Sequence, residues 1–445
     1  MYMQTADDSF VIESTKPLSG ETYILGAKNS ALVVMASLLL VDGVSRLSNI
    51  PFSADVMCMI QLLEELGARV ILYPEEHMID IDTRSVHTWK VRPEIMRQMR
   101  ASIFVMGPLL ARFKMAEVAF PGGDVIGARP IDLHLKWLAH MGAEVQHEHH
   151  FIRLKAQHGL QAKRVVLEYP SVGATENIIM AATLTPGVTT IINASLEPQV
   201  VDLINCLQKM GAIISISAPA TVQIQGVSAL APVLYTIMPD WLEAGTVLIA
   251  AAATGGAVTV TNVRASDMDV FLLKLQEMGH AISISDDGSR IQFVATQNPQ
   301  AVSFKKGPYP SFPTDLQAPM MALQCCAQGK SVIEETVFEN RLLHVRELQK
   351  MGAVISVEGT SARIIGVDSL YGAHVVATDI RAATALVVAG MVAHGKTVMA
   401  GVHHWMRGYE RLEERLISLG ARIFIGTEER HLSSHKIMQK QTTVR

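Results

Sequence analysis

The chain is poor in cysteine, with four in 445 residues. These are Cys58, Cys206, Cys325 and Cys326, which lie in apolar helical patterns and match no zinc-ligand or disulfide spacing. Such thiols are typical of small buried side chains in a reducing compartment. The sequence therefore predicts a cytoplasmic protein with neither structural disulfides nor a metal site.

Long apolar runs are also missing. The longest, such as ALVVMASLLLV, fall short of the roughly 20 residues that a membrane-spanning helix needs. The N-terminal MYMQTADDSF lacks the basic patch and apolar segment of a signal peptide. We expect neither a membrane span nor an export signal.

The chain carries little net charge, formally −4 at pH 7, and few aromatic residues, 5%. This charge gives no reason to expect nucleic acid or a membrane as a partner, so any anionic ligand must be held by a local basic cluster. The P-loop, the dinucleotide fingerprint and the GxSxG motif are absent as well. The 49% of hydrophobic residues predicts a core of aliphatic and methionine side chains.

What the chain does have is a sixfold repeat. A leucine-rich helical pattern ends in glycine and is followed by an alternating apolar run, as in LEELGARVIL and LQKMGAIISI. The pattern is typical of an amphipathic helix, a glycine C-cap and a strand. Its glycines lie at intervals of 75, 69, 68, 73 and 68 residues: Gly67, Gly142, Gly211, Gly279, Gly352 and Gly420.

A second signature runs in phase with the first. An apolar helix rich in small residues precedes a turn and a strand in each copy, as in VLIAAAATGGAVTVTNV. We expect these helices to be buried on most sides and the amphipathic helices to cover them. The period is too long for the common solenoids, so six units of about 70 residues predict a compact α/β protein with three units in each of two domains.

Lys28 and Asn29 in GAKNSAL interrupt the repeat at the start of a helix. Asn is a good N-cap, and a helix start with exposed N–H groups favours anions, to which the lysine adds a full charge. A surface lysine at a helix start is the alternative interpretation.

A turn-rich loop forms the second interruption, in PGGDVIGARPIDLHL from Pro121 to Leu135. It holds Asp124 and Arg129, with Asp132 and His134 following. A mobile loop with a carboxylate and an arginine is typical of a lid over a substrate. A flexible surface connection is the alternative.

Three further places carry groups that suit an anionic ligand. Ser171, Val172 and Gly173 form a turn before a helix, where backbone N–H groups could hold phosphate oxygens or simply cap the helix. Asp315 follows Thr314 at another helix start and could also be a cap. Arginine suits bidentate recognition of phosphate and carboxylate, and the candidates for a cationic pocket with Lys28 are Arg100, Arg129, Arg341, Arg381 and Arg407.

Two histidine groups are discounted as metal sites. HEHH, His147 to His150, follows a strand and is expected to span a hairpin turn. His403 and His404 have no carboxylate or cysteine at ligand spacing.

In combination, these motifs resemble one family. GAKNSAL, MRASIFVMGPLLARF, PGGDVIGARPIDLHL, PSVGATEN, FPTDLQ, ETVFENR and ATDIRAA are similar, in this order, to segments of the UDP-N-acetylglucosamine 1-carboxyvinyltransferases, which are enolpyruvyl transferases. The resemblance covers roughly residues 10–425. It implies two inside-out α/β barrel domains, 28–237 and 1–27 with 238–445, with substrates in the cleft between them and a polar tail from about residue 428.

The resemblance also implies the reaction: enolpyruvate passes from phosphoenolpyruvate to the 3′-hydroxyl of UDP-N-acetylglucosamine by addition and elimination, with release of phosphate. Asp315 would be the base, and Asp124 and Lys28 would complete the catalytic set. Lys28, Arg129 and Arg407 would hold the phosphate, and Arg381 the carboxylate. Neither a metal nor an organic cofactor is implied. The nucleotide sugar would be bound by Asn29, Arg100, Pro130, Asp132, Leu133, Ser171, Val172, Gly173, Asp315 and Val337.

The sequence departs from the family pattern at Asp124, where most members carry cysteine and some aspartate. A carboxyl group there could deliver a proton or serve loop closure and product release. Trp241, Met406 and Gln199 also stand where the family more often has charged residues. Two alternatives therefore stay open: a divergent enolpyruvyl transferase with another nucleotide or nucleotide-sugar acceptor, and a non-catalytic paralogue that binds a nucleotide sugar.

Overall fold

The computed structural model describes residues 8–124, 126–127, 130–148, 150–336, 338 and 340–426. Strands and helices alternate along this part of the chain. The strands are β1 (Ser9–Glu13), β2 (Ser19–Tyr23), β3 (Val44–Ser48), β4 (Arg69–Tyr73), β5 (Met78–Asp82), β6 (Met115–Ala119), β7 (Glu144–His147), β8 (Phe151–Lys155), β9 (Arg164–Val166), β10 (Val188–Ile192), β11 (Ile213–Ser217), β12 (Thr221–Gln225), β13 (Leu234–Thr236), β14 (Ala257–Thr261), β15 (Ala281–Ile284), β16 (Arg290–Val294), β17 (Phe304–Lys305), β18 (Lys330–Glu334), β19 (Val354–Glu358), β20 (Ser361–Ile365), β21 (His374–Val376), β22 (Lys396–Ala400) and β23 (Arg422–Gly426).

The helices are of two kinds, buried and amphipathic, as the two sequence signatures predict. Short 3₁₀ turns lie at Leu38–Leu40, Pro74–Glu76, Arg100–Val105 and Ala265–Met268. The α-helices are α1 (Lys28–Ser37), α2 (Ala54–Glu65), α3 (Pro93–Met96), α4 (Met106–Phe113), α5 (Asp132–His140), α6 (Val172–Ala182), α7 (Pro198–Lys209), α8 (Trp241–Thr254), α9 (Asp269–Glu277), α10 (Thr314–Gln324), α11 (Val345–Lys350), α12 (Ile380–Val392), α13 (Val402–Gly408) and α14 (Leu412–Ser418).

The first signature is confirmed in all six copies. Helices α2, α5, α7, α9, α11 and α14 each end two residues before the repeat glycine, and a strand begins two residues after it. All six glycines have φ between +94° and +110°, a backbone conformation that side chains with a Cβ rarely adopt. The glycine therefore ends each helix and turns the chain into the strand.

The second signature is confirmed as well. Helices α1, α6, α8, α10 and α12 are buried along nearly their whole length. Their alanines, valines and methionines allow close packing, and α8, α10 and α12 pack against one another. No helix in the described part of the chain is both long and apolar enough to cross a membrane.

The chain forms two compact units. The 25–240 unit comprises residues 25–124 and 130–240. The 241–426 unit comprises residue 241 onward together with the N-terminal segment to Ile24 and a short stretch that includes Ile126 and Gly127. The sequence-based division at 27/28 and 237/238 stays a prediction about the folding domains.

Each unit contains three sheets with a shared pattern. An edge strand pairs in parallel with the strand that follows a buried helix, and two antiparallel strands complete the sheet on the other side of that strand. Examples are β13-β3-β5-β4, β9-β10-β12-β11 and β2-β14-β16-β15. The sheet β6-β8-β7 has three strands, and a single parallel bridge from Lys90 to Glu117 stands in place of the fourth. The N-terminal strand β1 lies between β22 and β23. This is the α/β architecture of repeated units that the sequence predicts.

Candidate active site

Lys28 is the first residue of α1 and is only 8% exposed. Its Nζ lies 3.1 Å from Oδ2 of Asp55, and its backbone N–H donates to Oδ2 of Asp240 at 3.4 Å. Asn29 lies in the first turn, and Ala27 occupies the cap position. The prediction of an asparagine N-cap is therefore wrong, and the lysine is held by carboxylates on its side chain and its backbone, which a surface lysine would not be.

Asp202 fixes this end of α1. Its carboxylate accepts hydrogen bonds from Ser30 Oγ, from Tyr235 Oη at 2.6 Å and from the amide of Met238 at 3.3 Å. Burying a carboxylate is costly unless it is hydrogen-bonded, and this one has three donors. The sequence gives no signal for Asp55, Asp202 or Asp240, because each lies in a segment distant from GAKNSAL along the chain.

Arg100 and the segment after the loop lie together. Arg100 begins a 3₁₀ turn, and its Nη2 donates to the carbonyl of Pro130 at 3.3 Å. Asp132 and Leu133 form the first turn of α5, Asp132 exposed and Leu133 half-buried. Asp124 is half-buried, and Arg129 lies outside the described residues.

Asn177 connects the three segments that carry the nucleotide-sugar candidates. Its Nδ2 donates to Nδ1 of His134 at 3.0 Å and to the carbonyl of Ile103 at 3.2 Å, while its Oδ1 accepts from the amide of Gly107 at 2.8 Å. These partners fix the orientation of the amide and require His134 to accept at Nδ1. Burial, and then the charge of Arg100, lower the pKa of His134 to about 3, so the ring is neutral at pH 7.

Helix α6 begins beside this histidine. Ser171 is its N-cap, with Oγ accepting from the amide of Ala174 at 3.4 Å, and Val172 and Gly173 are half-buried in the first turn. A Cβ on Gly173 would lie 3.1 Å from Cε1 of His134, so glycine allows this close packing. In this part of the 25–240 unit, Arg100 thus provides a guanidinium group and α6 provides a helix start without acidic residues. This arrangement favours an anionic ligand.

In the 241–426 unit, Asp315 lies in the first turn of α10, where Pro313 is the cap residue. Its Oδ1 accepts from Nη2 of Arg341 at 2.7 Å and from Nε of Arg381 at 3.0 Å. The carboxylate therefore binds two guanidinium groups, and the simpler interpretation of Asp315 as a helix cap is wrong.

Arg381 is fixed at several points. Asp379 caps α12 and accepts from the backbone N–H of Arg381 at 2.8 Å, while Nη1 of Arg381 donates to the hydroxyl of Tyr409 at 2.9 Å. Arg407 lies half-buried on α13, which packs against α12. Val337 lies outside the described residues.

The histidine segments lie outside this group of residues. His147 ends β7 and Phe151 begins β8, so the HEHH segment spans a hairpin, with His149 outside the described residues. Among the residues that the structure describes, no three His, Cys, Asp or Glu side chains are grouped as metal ligands would be.

Known proteins share both the fold and the sequence. The family model described as EPSP synthase (3-phosphoshikimate 1-carboxyvinyltransferase) matches residues 12–416. The crystal structure of the enolpyruvyl transferase NikO from Streptomyces tendae aligns with a TM-score of 0.85 at 23% identity, covering 95% of this chain and 99% of that one. EPSP synthase from Acinetobacter baumannii aligns with a TM-score of 0.74 at 16% identity, covering 94% and 100%. These likenesses define the class: the fold is that of the enolpyruvyl transferases.

Curated relatives are more specific. A UDP-N-acetylglucosamine 1-carboxyvinyltransferase from Saccharophagus degradans is 44% identical over 94% of this chain and 99% of its own length. One from Caldanaerobacter subterraneus subsp. tengcongensis is 47% identical over 93% and 99%. The chain belongs to the family of the UDP-N-acetylglucosamine 1-carboxyvinyltransferases, within the enolpyruvyl transferases.

Proposed function

We propose that the protein transfers the enolpyruvyl group of phosphoenolpyruvate to the 3′-hydroxyl of UDP-N-acetylglucosamine and releases phosphate, the first committed step of peptidoglycan synthesis in the cytoplasm. The observation that carries this proposal is the 42–47% identity, over about 94% of the chain, to relatives named for this activity. The two alternatives, another acceptor or a non-catalytic paralogue, receive no support from these relatives.

The reaction needs a base, an acid and sites for three anionic groups. The hydroxyl oxygen attacks C2 of phosphoenolpyruvate while C3 takes up a proton; the tetrahedral intermediate then loses a proton from C3 and expels phosphate. We assign the removal of the hydroxyl proton to Asp315, whose carboxylate is held at the start of α10 by ion pairs with Arg341 and Arg381. Asp124 belongs to the same catalytic set.

The anionic groups are assigned to the cationic residues. Lys28, Arg129 and Arg407 bind the phosphate of phosphoenolpyruvate, and Arg381 binds its carboxylate. UDP-N-acetylglucosamine is assigned to Asn29, Arg100, the segment with Pro130, Asp132 and Leu133, and the start of α6 at Ser171, Val172 and Gly173, together with Asp315 and Val337. The helix start and the guanidinium group of Arg100 suit a diphosphate.

The test is phosphate release from phosphoenolpyruvate with and without UDP-N-acetylglucosamine. Release that requires the nucleotide sugar supports both the reaction and the acceptor. A folded protein that binds the sugar without release is a non-catalytic paralogue, and one that does neither has another acceptor.

Asp315→Ala is expected to abolish phosphate release, by at least about 10²-fold, because it removes the base. The variant should still fold, but with a lower thermal unfolding midpoint than the wild type, because the buried guanidinium groups of Arg341 and Arg381 lose an acceptor. Asp286→Ala, an exposed hairpin substitution, is the matched control. Substantial residual turnover in Asp315→Ala would remove Asp315 as the essential base.

A further inference from the structure

Tyr409 follows α13 and is 3% exposed. Its ring packs on Trp405, with 5.0 Å between ring centroids. Its hydroxyl lies 2.9 Å from Nη1 of Arg381, 3.0 Å from Oγ1 of Thr246 and 3.3 Å from Oγ1 of Thr384. One buried hydroxyl group thus joins the start of α12 to α8.

The direction of each of these hydrogen bonds follows from counting protons. Thr246 donates its single hydroxyl proton to the carbonyl of Leu242 at 2.9 Å, and Thr384 donates its own to the carbonyl of Ile380 at 3.0 Å. Both threonine oxygens therefore act as acceptors toward Tyr409. Tyr409 must donate its proton to the threonine side, which leaves an oxygen lone pair directed at Arg381, a residue that can only donate.

Three of the contacts that hold Arg381 are those of its backbone with Asp379, its Nε with Asp315 and its Nη1 with Tyr409. The three acceptors differ in charge. A neutral hydroxyl fixes the orientation of a guanidinium group without cancelling its positive charge, whereas a carboxylate in the place of this hydroxyl would weaken the attraction of the guanidinium group for an anion.

We propose that Tyr409 is a positioning residue for Arg381, presenting a lone pair that orients the guanidinium group toward the carboxylate of phosphoenolpyruvate. The inference rests on the proposed function, which assigns that carboxylate to Arg381. Tyr409 thus acts through Arg381 on the binding of phosphoenolpyruvate. It has no such role in the binding of the nucleotide sugar.

The test is Tyr409→Phe, which removes the acceptor and keeps the ring. The KM for phosphoenolpyruvate is expected to rise roughly tenfold, the loss of one hydrogen bond to a charged group, while the KM for UDP-N-acetylglucosamine stays within about twofold. Thr246→Val should raise the former KM by less, because Thr384 remains as an acceptor. Tyr371→Phe, on a tyrosine that is 60% exposed, is the control and should change neither.

Two results would overturn the proposal: an unchanged KM for phosphoenolpyruvate in Tyr409→Phe, or an equal rise in both KM values with a lowered unfolding temperature.

A measurement that needs no turnover keeps this test separate from the proposed function. The Nε–Hε NMR resonance of Arg381, identified by its loss in Arg381→Lys, should shift in Tyr409→Phe and not in Tyr371→Phe. If the wild type releases no phosphate, the proposed function fails, and the absence or presence of this shift still decides whether Tyr409 orients Arg381.

Discussion

At the scale of single residues, Asp124 stands where the family resemblance implies a cysteine in most members. A carboxylate is a far poorer nucleophile toward an epoxide than a thiolate, so fosfomycin, which alkylates the cysteine of other members, should leave this protein unmodified. Asp124→Cys should retain turnover and become inactivated by fosfomycin. Intact-mass measurement and phosphate release after incubation check both statements.

The controls for this experiment are in the chain itself. Burial raises the pKa of the Cys326 thiol to about 11, and Cys58, Cys206 and Cys325 are buried, so the native thiols should not react. Asp286→Cys places a thiol on an exposed hairpin outside the site and should keep its activity in fosfomycin. An adduct on Asp124 of the wild type would contradict the expectation.

His280 links stability to pH. The ring is 4% exposed, its Nδ1 accepts from the amide of Thr296 at 3.1 Å, and burial lowers its pKa to about 4. As pH falls from 6.5 toward 4, the unfolded chain binds a proton that the folded ring does not, so the free energy of unfolding decreases. Above pH 6.5 the ring is neutral in both states and has no such effect.

We expect the loss of unfolding free energy between pH 7 and pH 5 to be about 1–2 kcal/mol smaller in His280→Asn than in the wild type. Asparagine keeps an acceptor and removes the titration. Denaturant unfolding at both pH values measures this, with the exposed His158→Asn as the control. Equal losses in His280→Asn and the wild type would show that His280 does not contribute.

At the scale of the elements, the repeat glycine Gly211 and the nearby Gly226 separate the cost of backbone strain from the cost of a steric clash. Gly211 has φ +104°, and a Cβ there would meet no atom of the described chain within 4 Å. Gly226 has no positive φ in the left-handed region, but a Cβ would lie 1.7 Å from the carbonyl oxygen of Thr185. Gly211→Ala should cost about 1–2 kcal/mol of unfolding free energy from strain alone, and Gly226→Ala about 3 kcal/mol from a backbone clash.

Chemical denaturation of both variants measures the difference. Ser228→Ala, in an exposed loop of the same unit, should lie within about 0.5 kcal/mol of the wild type. If Gly211→Ala were as neutral as Ser228→Ala, the positive φ would carry no strain.

The helices and strands are the part of the fold that the sequence predicts best. Glycine C-caps and alternating strands are local signals, so each helix–glycine–strand unit could be predicted copy by copy. The error at Asn29 was also local: the cap position fell two residues earlier, at Ala27, which has no capping side chain. The contacts that define the site are not local, since Arg381 and Asp315 are 66 residues apart, and nothing in either segment encodes the other.

Residue patterns indicated the candidate positions, but their roles came from the family resemblance, because charges at helix starts are compatible with simple caps. Asp379 and Tyr409 had no such signal. Each is polar and buried, and its role depends on Arg381 being brought to it by helix packing. Whether a polar side chain is buried against a hydrogen-bonding partner depends on the fold and cannot be predicted from the spacing of residues in the sequence.

At the scale of the whole molecule, the N-terminal segment belongs to the 241–426 unit. Strand β1 lies between β22 and β23, and β2 pairs in parallel with β14. Phe10 and Ile12 on β1 are fully buried. We therefore propose that the folding domains are discontinuous in sequence, with the N-terminal strands completing the domain formed by the C-terminal half.

A chain beginning at Leu25 tests this proposal. It leaves β22 and β23 without their shared partner and removes the fully buried side chains of Phe10, Ile12, Leu18 and Ile24. The 25–240 unit should therefore resist limited proteolysis while the C-terminal half is degraded. A peptide covering residues 8–24 should restore resistance, and a chain beginning at Asp8 is the control because it retains both strands. Resistance of the whole shortened chain would contradict the proposed domain.

The same truncation connects the fold to the chemistry. Phe10 packs edge-on against Trp405, with 5.8 Å between ring centroids, and Trp405 packs on Tyr409, whose hydroxyl holds Arg381. Removing β1 therefore takes away support for the residues that orient the donor-binding arginine, although β1 contributes no group to the site. Phosphate release should be lost in the shortened chain and return with the peptide, in parallel with protease resistance; activity without the peptide would mean that β1 does not support this part of the site.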